Sequence, residues 1–141
     1  MLNISSPIIF IIDPEKAHQH ILRNCFMALG YKKIYTFSSP EECVTCTKKA
    51  DVIITEQQFD DTHISGIDFM WAYRCQYPAS NFFFYTKDTS RESAGKALQH
   101  GAIDYFQKGL KGLEVLVTSV ENYISSRKRK IQSFTDNLIA V

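Results

Sequence analysis

The stretch 51–57, read DVIITEQ, constrains this chain more than any other: an unbroken β-branched run, Val52-Ile53-Ile54, is bounded by Asp51 and the lone carboxylate Glu56. Such a run reads as a strand covered on both faces, the pattern of parallel sheets. Three further apolar runs end the same way, residues 8–12 in Asp13, 82–85 in Thr86 and 102–107 in Lys108. Ligand chemistry in open parallel sheets gathers just outside the carboxyl ends of the strands. Asp13, Glu56, Thr86 and Lys108 are therefore expected to meet on one edge.

The segments between these runs have helical signals. Asp13-Pro14-Glu15 reads as a helix start with Asp13 as cap and Pro14 at the first helical position. Ala17, Ile21, Leu22, Cys25, Ala28 and Leu29 give that helix an apolar face, and Gly30 gives it a stop. Residues 34–37 form a second strand. Ser39-Pro40-Glu41-Glu42 is a capping box, opening a helix expected to run to about Lys49. Residues 56–65 are polar without a helix signal, a place where function often sits. A helix follows Gly66 and closes at Pro78, and another spans residues 90–100. Five strands alternating with helices predict an α/β fold, a three-layer, doubly wound, five-stranded parallel sheet.

From Leu113 a last helix begins. Leu113, Val117, Val120, Ile124, Arg127, Ile131, Phe134 and Leu138 alternate spacings of four and three, a heptad seam broken by Arg127. It predicts either a helix that extends past the domain to a second copy or an output module, or a frayed tail.

A chain of 141 residues is one domain by size, and a net charge of +1 offers no general attraction for nucleic acid or anionic membranes. The basic cluster at residues 127–130 reads as a solvated face. The start lacks a signal-peptide pattern and nothing has the length of a membrane span. Four cysteines do not form a disulfide framework, which points to a reducing, cytoplasmic location. Cys43 and Cys46 have redox or zinc spacing without further ligands nearby, so ordinary core or surface thiols are expected. Asp60 and Asp61 are expected to be solvated loop acids.

These residues resemble a response-regulator receiver domain, the phosphorylatable switch of two-component signalling, over Pro7 to about Ile124. The resemblance implies a flavodoxin-like sheet in order 2-1-3-4-5. It divides the chain into a receiver-like domain, residues 1–126, and a C-terminal helix extension or tail, residues 127–141. Asp13 matches the first of two metal-site acids, Glu56 the phosphoacceptor aspartate, Thr86 the hydroxyl switch, Tyr105 the aromatic switch and Lys108 the family's lysine. It further implies a non-enzymatic module whose partner, a histidine kinase or an output protein, docks on the face of the fourth helix, fifth strand and fifth helix. A homodimer through the last helix is a further expectation.

Departures from the family pattern suggest a pseudo-receiver. Pro14 stands at the second acidic position and offers no side-chain oxygen, leaving Mg²⁺ with Asp13, the Gln58 backbone carbonyl and Glu15 as a substitute. Glu56 replaces aspartate, the loop after it is longer, and Gly109 stands where proline is usual. One extra methylene moves a carboxylate by about 1.5 Å, and a displacement of about 1 Å can lose on the order of a hundredfold in rate. Efficient phosphorylation at Glu56 is not expected. Glu56 either reaches Lys108 and Thr86 as a standing mimic of the phosphoryl group, or is an idle remnant. Two other readings stand beside these: a receiver still phosphorylated through an unusual site, and a haloacid dehalogenase-like phosphatase using Asp13, for which no later paired acids are present.

Overall fold

The computed structural model describes residues 6–60 and 63–140. In chain order the elements are β1 (Ile8–Ile12), α1 (Lys16–Ala28), β2 (Lys33–Phe37), α2 (Pro40–Val44), β3 (Val52–Thr55), α3 (Gly66–Gln76), β4 (Asn81–Thr86), α4 (Arg91–Gln99), β5 (Asp104–Gln107) and α5 (Leu110–Ala140). The five strands form one parallel sheet in the order β2-β1-β3-β4-β5. That is the doubly wound arrangement expected from the alternating pattern. Register brings the strand ends level, with Ile12 opposite Thr55, Thr55 opposite Phe84 and Thr86 opposite Gln107.

Strand alternation sorts the apolar side chains into two layers. Phe10, Ile12, Ile53, Phe82 and Phe84 pack with α3 through Ile67, Phe69, Met70 and Tyr73. Ile9, Ile11, Val52, Ile54, Phe83 and Tyr85 face Leu22 and Phe26 of α1 and Leu116, Val120 and Ile124 of α5. Because β1, β3 and β4 are buried on both faces, their runs show no polar alternation, which is what makes them recognisable as central strands.

Several boundaries depart from the sequence expectation. Asp13 does not cap α1: the helix begins at Lys16 after Glu15, so Pro14 precedes it. Asp13 is drawn inward instead, with one oxygen accepting the Glu15 amide at 2.9 Å and the other bound to Lys108. The buried stripe of α1 is Gln19, Leu22 and Phe26, whereas Ile21 and Leu29 are exposed. Helix α2 stops at Val44 rather than near Lys49, since the Thr45 hydroxyl donates back to the Glu42 carbonyl and competes with helix continuation. Cys46 therefore lies beyond the helix, half-buried, while Cys43 is buried and burial pushes its thiol up to about 12. The capping box is present in part: Ser39 accepts from the Glu42 amide, but Glu42 reaches back to the amide of Ser38, one residue before the cap.

Strand β5 is shorter than residues 102–107, because the Ala102 amide still closes the end of α4 on Ala97. Helix α5 starts one turn before Leu113. Its start follows Gly109, whose φ of +142° an L side chain would resist. That conformational demand is a local reason for glycine at a position where the family pattern has proline. Past Arg127 the helix continues without a break to Ala140.

Candidate functional site

Parallel strand ends set the site. Backbone bonds from Asp13 to the Phe37 carbonyl, Glu56 to the Ile12 carbonyl and Lys108 to the Thr86 carbonyl continue the ladders one residue past each strand. The side chains of these residues consequently project from a fixed floor. Asp13 and Glu56 are each only 2% exposed. Lys108 reaches between them, its Nζ 2.7 Å from Asp13 Oδ2 and 2.8 Å from Glu56 Oε2.

Among the described residues, five donors converge on the Glu56 carboxylate. Oε1 accepts the Gln57 amide at 2.7 Å, the Gln58 amide at 3.1 Å and the Thr86 hydroxyl. Oε2 accepts the Lys87 amide at 3.2 Å together with the Lys108 ammonium. Charge-assisted bonds of this kind are the stronger class of hydrogen bond. The carboxylate therefore ties together the β3–α3 turn, the end of β4 and the end of β5.

The Thr86 hydroxyl oxygen also accepts the Asp88 amide at 2.9 Å, and the Asp88 carbonyl accepts the Tyr105 hydroxyl at 3.0 Å. Tyr105 stacks on Phe84 at a centroid separation of 5.5 Å. Burial, reinforced by Asp88, pushes the Tyr105 phenol up to about 12, so it stays a neutral donor. A continuous path of hydrogen bonds thus runs from Glu56 through Thr86 and Asp88 to Tyr105.

Electrostatics at the floor are closely balanced. Burial raises the Asp13 carboxyl above its ordinary value, with the Glu56 charge adding to this, and Lys108 only partly offsets it. Burial pulls Lys108 down, but bonds to Asp13 and Glu56 outweigh that pull and leave it raised. The ammonium is therefore held charged between two acids.

The donor set does not fit the Mg²⁺ that the family resemblance implies. Mg²⁺ requires near-octahedral oxygen ligands and several retained waters. Here both Asp13 oxygens are engaged, Pro14 supplies none, and Glu56 is saturated with donors. Glu15 pairs with Lys87 and lies 3.3 Å from His18, so its carboxylate is committed away from Asp13. Gln58 lines the cavity and offers its amide to Glu56. Among the described residues no cluster of three acidic, histidine or cysteine side chains is placed to hold a metal.

A cavity of about 470 Å³ opens over Glu56, bordered by Pro14, Glu15, Gln58, Asp60 and Lys87. Lys87 and Glu15 on its border form an ion pair. Asp60 lies 3.8 Å from His63, and Asp61 falls outside the described residues. Gly66 packs closely against the turn after β3: a Cβ there would meet the Glu56 carbonyl at 2.3 Å and the Phe84 ring at 2.9 Å. Gly66→Ala is accordingly expected to lower the unfolding free energy by about 1–3 kcal/mol, read from urea denaturation. An unchanged midpoint would mean that the turn yields to the added methyl.

Three residues with clear structural roles at the site are not singled out by the sequence. Gln19 is buried and donates to the Asp13 and Phe37 carbonyls at 2.7 and 3.2 Å, fixing the end of β1. Its signal is a polar residue one helical turn before Leu22, within the stripe that is buried. Gln57 accepts the Ile67 amide at 2.9 Å and so joins the turn to α3. Lys87 is marked only by following Thr86.

Comparison with known families agrees with this geometry. The model for the response regulator receiver domain matches residues 9–121. The chain belongs to the response regulator receiver family. No curated protein matches it significantly. Solved structures similar to this receiver domain include the BeF3-activated DrrB receiver domain, at 21% identity and a TM-score of 0.75, covering 85% of this chain and 98% of that one. A CheY-like receiver domain protein from Methanospirillum hungatei has 15% identity and a TM-score of 0.77, covering 89% and 98%. A receiver protein from Pseudoalteromonas atlantica has 22% identity and a TM-score of 0.75, covering 86% and 99%. At these identities the likeness concerns the fold. Membership in the family leaves the haloacid dehalogenase alternative without support. No helix among the described residues is long and apolar enough to cross a membrane.

Proposed function

We propose that this receiver domain is a pseudo-receiver: a protein-interaction module of two-component signalling, working in the cytoplasm without phosphorylation of residue 56. Glu56 itself serves as the internal ligand of the switch. The observation that carries the reading is the set of five donors around its carboxylate, which includes the hydroxyl of Thr86 and the ammonium of Lys108. A glutamate is one bond longer than aspartate, and here the added reach takes its oxygens to groups that would otherwise receive a phosphoryl group. The inward position of Tyr105, bonded to the Asp88 carbonyl, supports an active-like resting state.

The partner, a histidine kinase or an output protein, docks on the face made by α4, β5 and α5, where Tyr105 reports the state of the site. Four free cysteines support a reducing compartment. Acidic neighbours engaged by Lys108 and a proline at the second acidic position support independence from Mg²⁺.

Acetyl phosphate with Mg²⁺ is expected to add no phosphate, as read by intact-protein mass spectrometry. Stoichiometric addition at Glu56, or at Asp60 or Asp61, would overturn the reading in favour of a receiver phosphorylated through an unusual site. A second measurement separates a standing mimic from an idle remnant. Glu56→Gln removes the charge that holds the Lys87 amide and the Thr86 hydroxyl, so amide hydrogen exchange at residues 86–88 should quicken by roughly tenfold or more. Exchange that stays unchanged there would assign Glu56 no hold over the switch.

A further inference from the structure

The net charge of +1 is the sum of two opposite poles. Exposed at one end of the strands are Lys32, Lys33, Lys48 and Lys49, with the basic quartet of residues 127–130 beside them, half of the chain's 16 lysines and arginines. Sheet register sets their placement. Lys33 opens β2 opposite Ile8, and Lys48 and Lys49 lead into β3, whose Val52 stands opposite Ile9. Because β2 and β3 flank β1, the two strands lie roughly 10 Å apart along the edge where the sheet begins. Helix α5 runs past the same edge: its Ile124, Ser125 and Lys128 border a cavity of about 480 Å³ together with Pro7, Tyr31 and Lys32. From there it projects for roughly 20 Å more. Asp13, Glu15, Glu56 and Asp88 lie at the other end of the strands.

Two ordinary explanations of such lysines fail here. Cations near helix C-termini complement the macrodipole, but that effect is confined to the last turn. The last turns of α1, α2 and α5 have no basic residue, and Lys32 and Lys48 each lie four residues past a helix end. Cations of a merely solvated surface are ordinarily interspersed with acids. Among the described residues none of the eight pairs with a carboxylate, and Lys48, Lys49 and Arg127 lie over the rings of Tyr35, Tyr77 and Tyr123 instead. Acids at this edge are committed or distant. Asp51 is buried and accepts the Ile8 amide at 2.8 Å, Glu121 takes the Tyr31 hydroxyl, and Asp104 opens β5, three strands away from β1. Like charges without local counter-charges repel one another, and a polyanion relieves that repulsion.

We propose that this edge and the root of the α5 projection form a docking surface for the phosphate backbone of a nucleic-acid duplex, held by charge and independent of base sequence. A rod fits the corner between edge and helix, where Lys32 and Lys128 line the same cavity. A planar anionic membrane does not. Contact with the edge lysines would push the projection, with its Gln132, Ser133, Asp136 and Asn137, into hydrocarbon. Glu56 lies at the opposite end of the strands, so its state does not enter.

About four simultaneous phosphate contacts give a salt slope of roughly −4 and a dissociation constant on the order of 1 µM near 50 mM KCl. Fluorescence anisotropy of a labelled DNA duplex of about 20 base pairs, titrated with the whole chain, should show the affinity fall roughly 100-fold by about 200 mM KCl. The double variant Lys32→Glu with Lys128→Glu should weaken binding near 50 mM by roughly tenfold or more and flatten the slope by about two. Lys16→Glu with Lys111→Glu makes the same change in net charge at the opposite end of the strands, where screening should hold the loss below about threefold. All four lysines are exposed, so both variants should keep the native melting temperature. Absence of binding up to about 200 µM near 50 mM KCl, equal weakening by the two double variants, or displacement of the duplex by poly-glutamate at equal charge concentration would overturn the proposal. So would sedimentation with phosphatidylserine vesicles at a salt concentration that releases the duplex.

Discussion

Replacing Lys108 with methionine should lower the unfolding free energy at pH 7 by about 3–5 kcal/mol, the scale on which losing one member of a buried ion pair is felt. The ammonium is the counter-charge shared by Asp13 and Glu56, and both acids are almost wholly buried. Methionine fills most of the lysine's volume and leaves the charges facing each other. The cost should depend on pH in a direction that identifies its origin. In the native protein Lys108 is raised, so its contribution is complete below the ordinary lysine value and fades only as pH rises through the higher folded value. In the variant Asp13, which burial already raises, loses the ammonium that partly offset that rise and is raised further. Raised carboxyls contribute stability when protonated and lose it as pH rises through their folded values. The deficit relative to the native protein should therefore be largest near neutrality and shrink on acidification. Urea denaturation of both proteins at pH 7 and near pH 4.5 measures this. An equal deficit at the two pH values would attribute the loss to packing.

The same balance explains which parts of this site can be read from the sequence. Strand ends are legible because a covered strand must be apolar along its whole length, so the first polar residue marks where it emerges. That logic locates Asp13 and Thr86, and Glu56 to within one residue because the buried Thr55 precedes it, whereas β5, DYFQ and only half-buried, does not mark Lys108 in this way; the register of the sheet brings the strand ends level. Helix faces are less legible. In α1 the buried stripe passes through Gln19, whose side-chain nitrogen is needed by two carbonyls, and apolarity alone selects the wrong positions. The role of Asp13 is hidden for a related reason. An acid before a helix has two competing uses, and the buried ammonium of Lys108, far downstream in the chain, decides between them. The Lys87–Glu15 pair depends on side-chain reach across two loops, for which one-dimensional spacing has no signature.

If, as proposed, Glu56 and Pro14 together deny this site acceptor chemistry, changing both to aspartate should confer it. The double variant Pro14→Asp with Glu56→Asp is expected to take up phosphate from acetyl phosphate in the presence of Mg²⁺ at least ~100-fold faster than Glu56→Asp alone. Shortening residue 56 by one methylene withdraws its oxygens by about 1.5 Å from the amide of Lys87 and from Thr86, and returns that space to an incoming group. This repairs alignment only. Phosphoryl transfer also needs its charge neutralised, and the single variant still has a proline where a second acid would help bind the ion. The Pro14→Asp change supplies that carboxylate next to Asp13. Mass spectrometry follows incorporation, and calorimetric titration with Mg²⁺ follows the metal separately. Equal labelling of the single and double variants would clear Pro14 as the obstacle. If Mg²⁺ binds the double variant but phosphate is not taken up, the obstacle moves to the cavity that the paired Lys87 and Glu15 border.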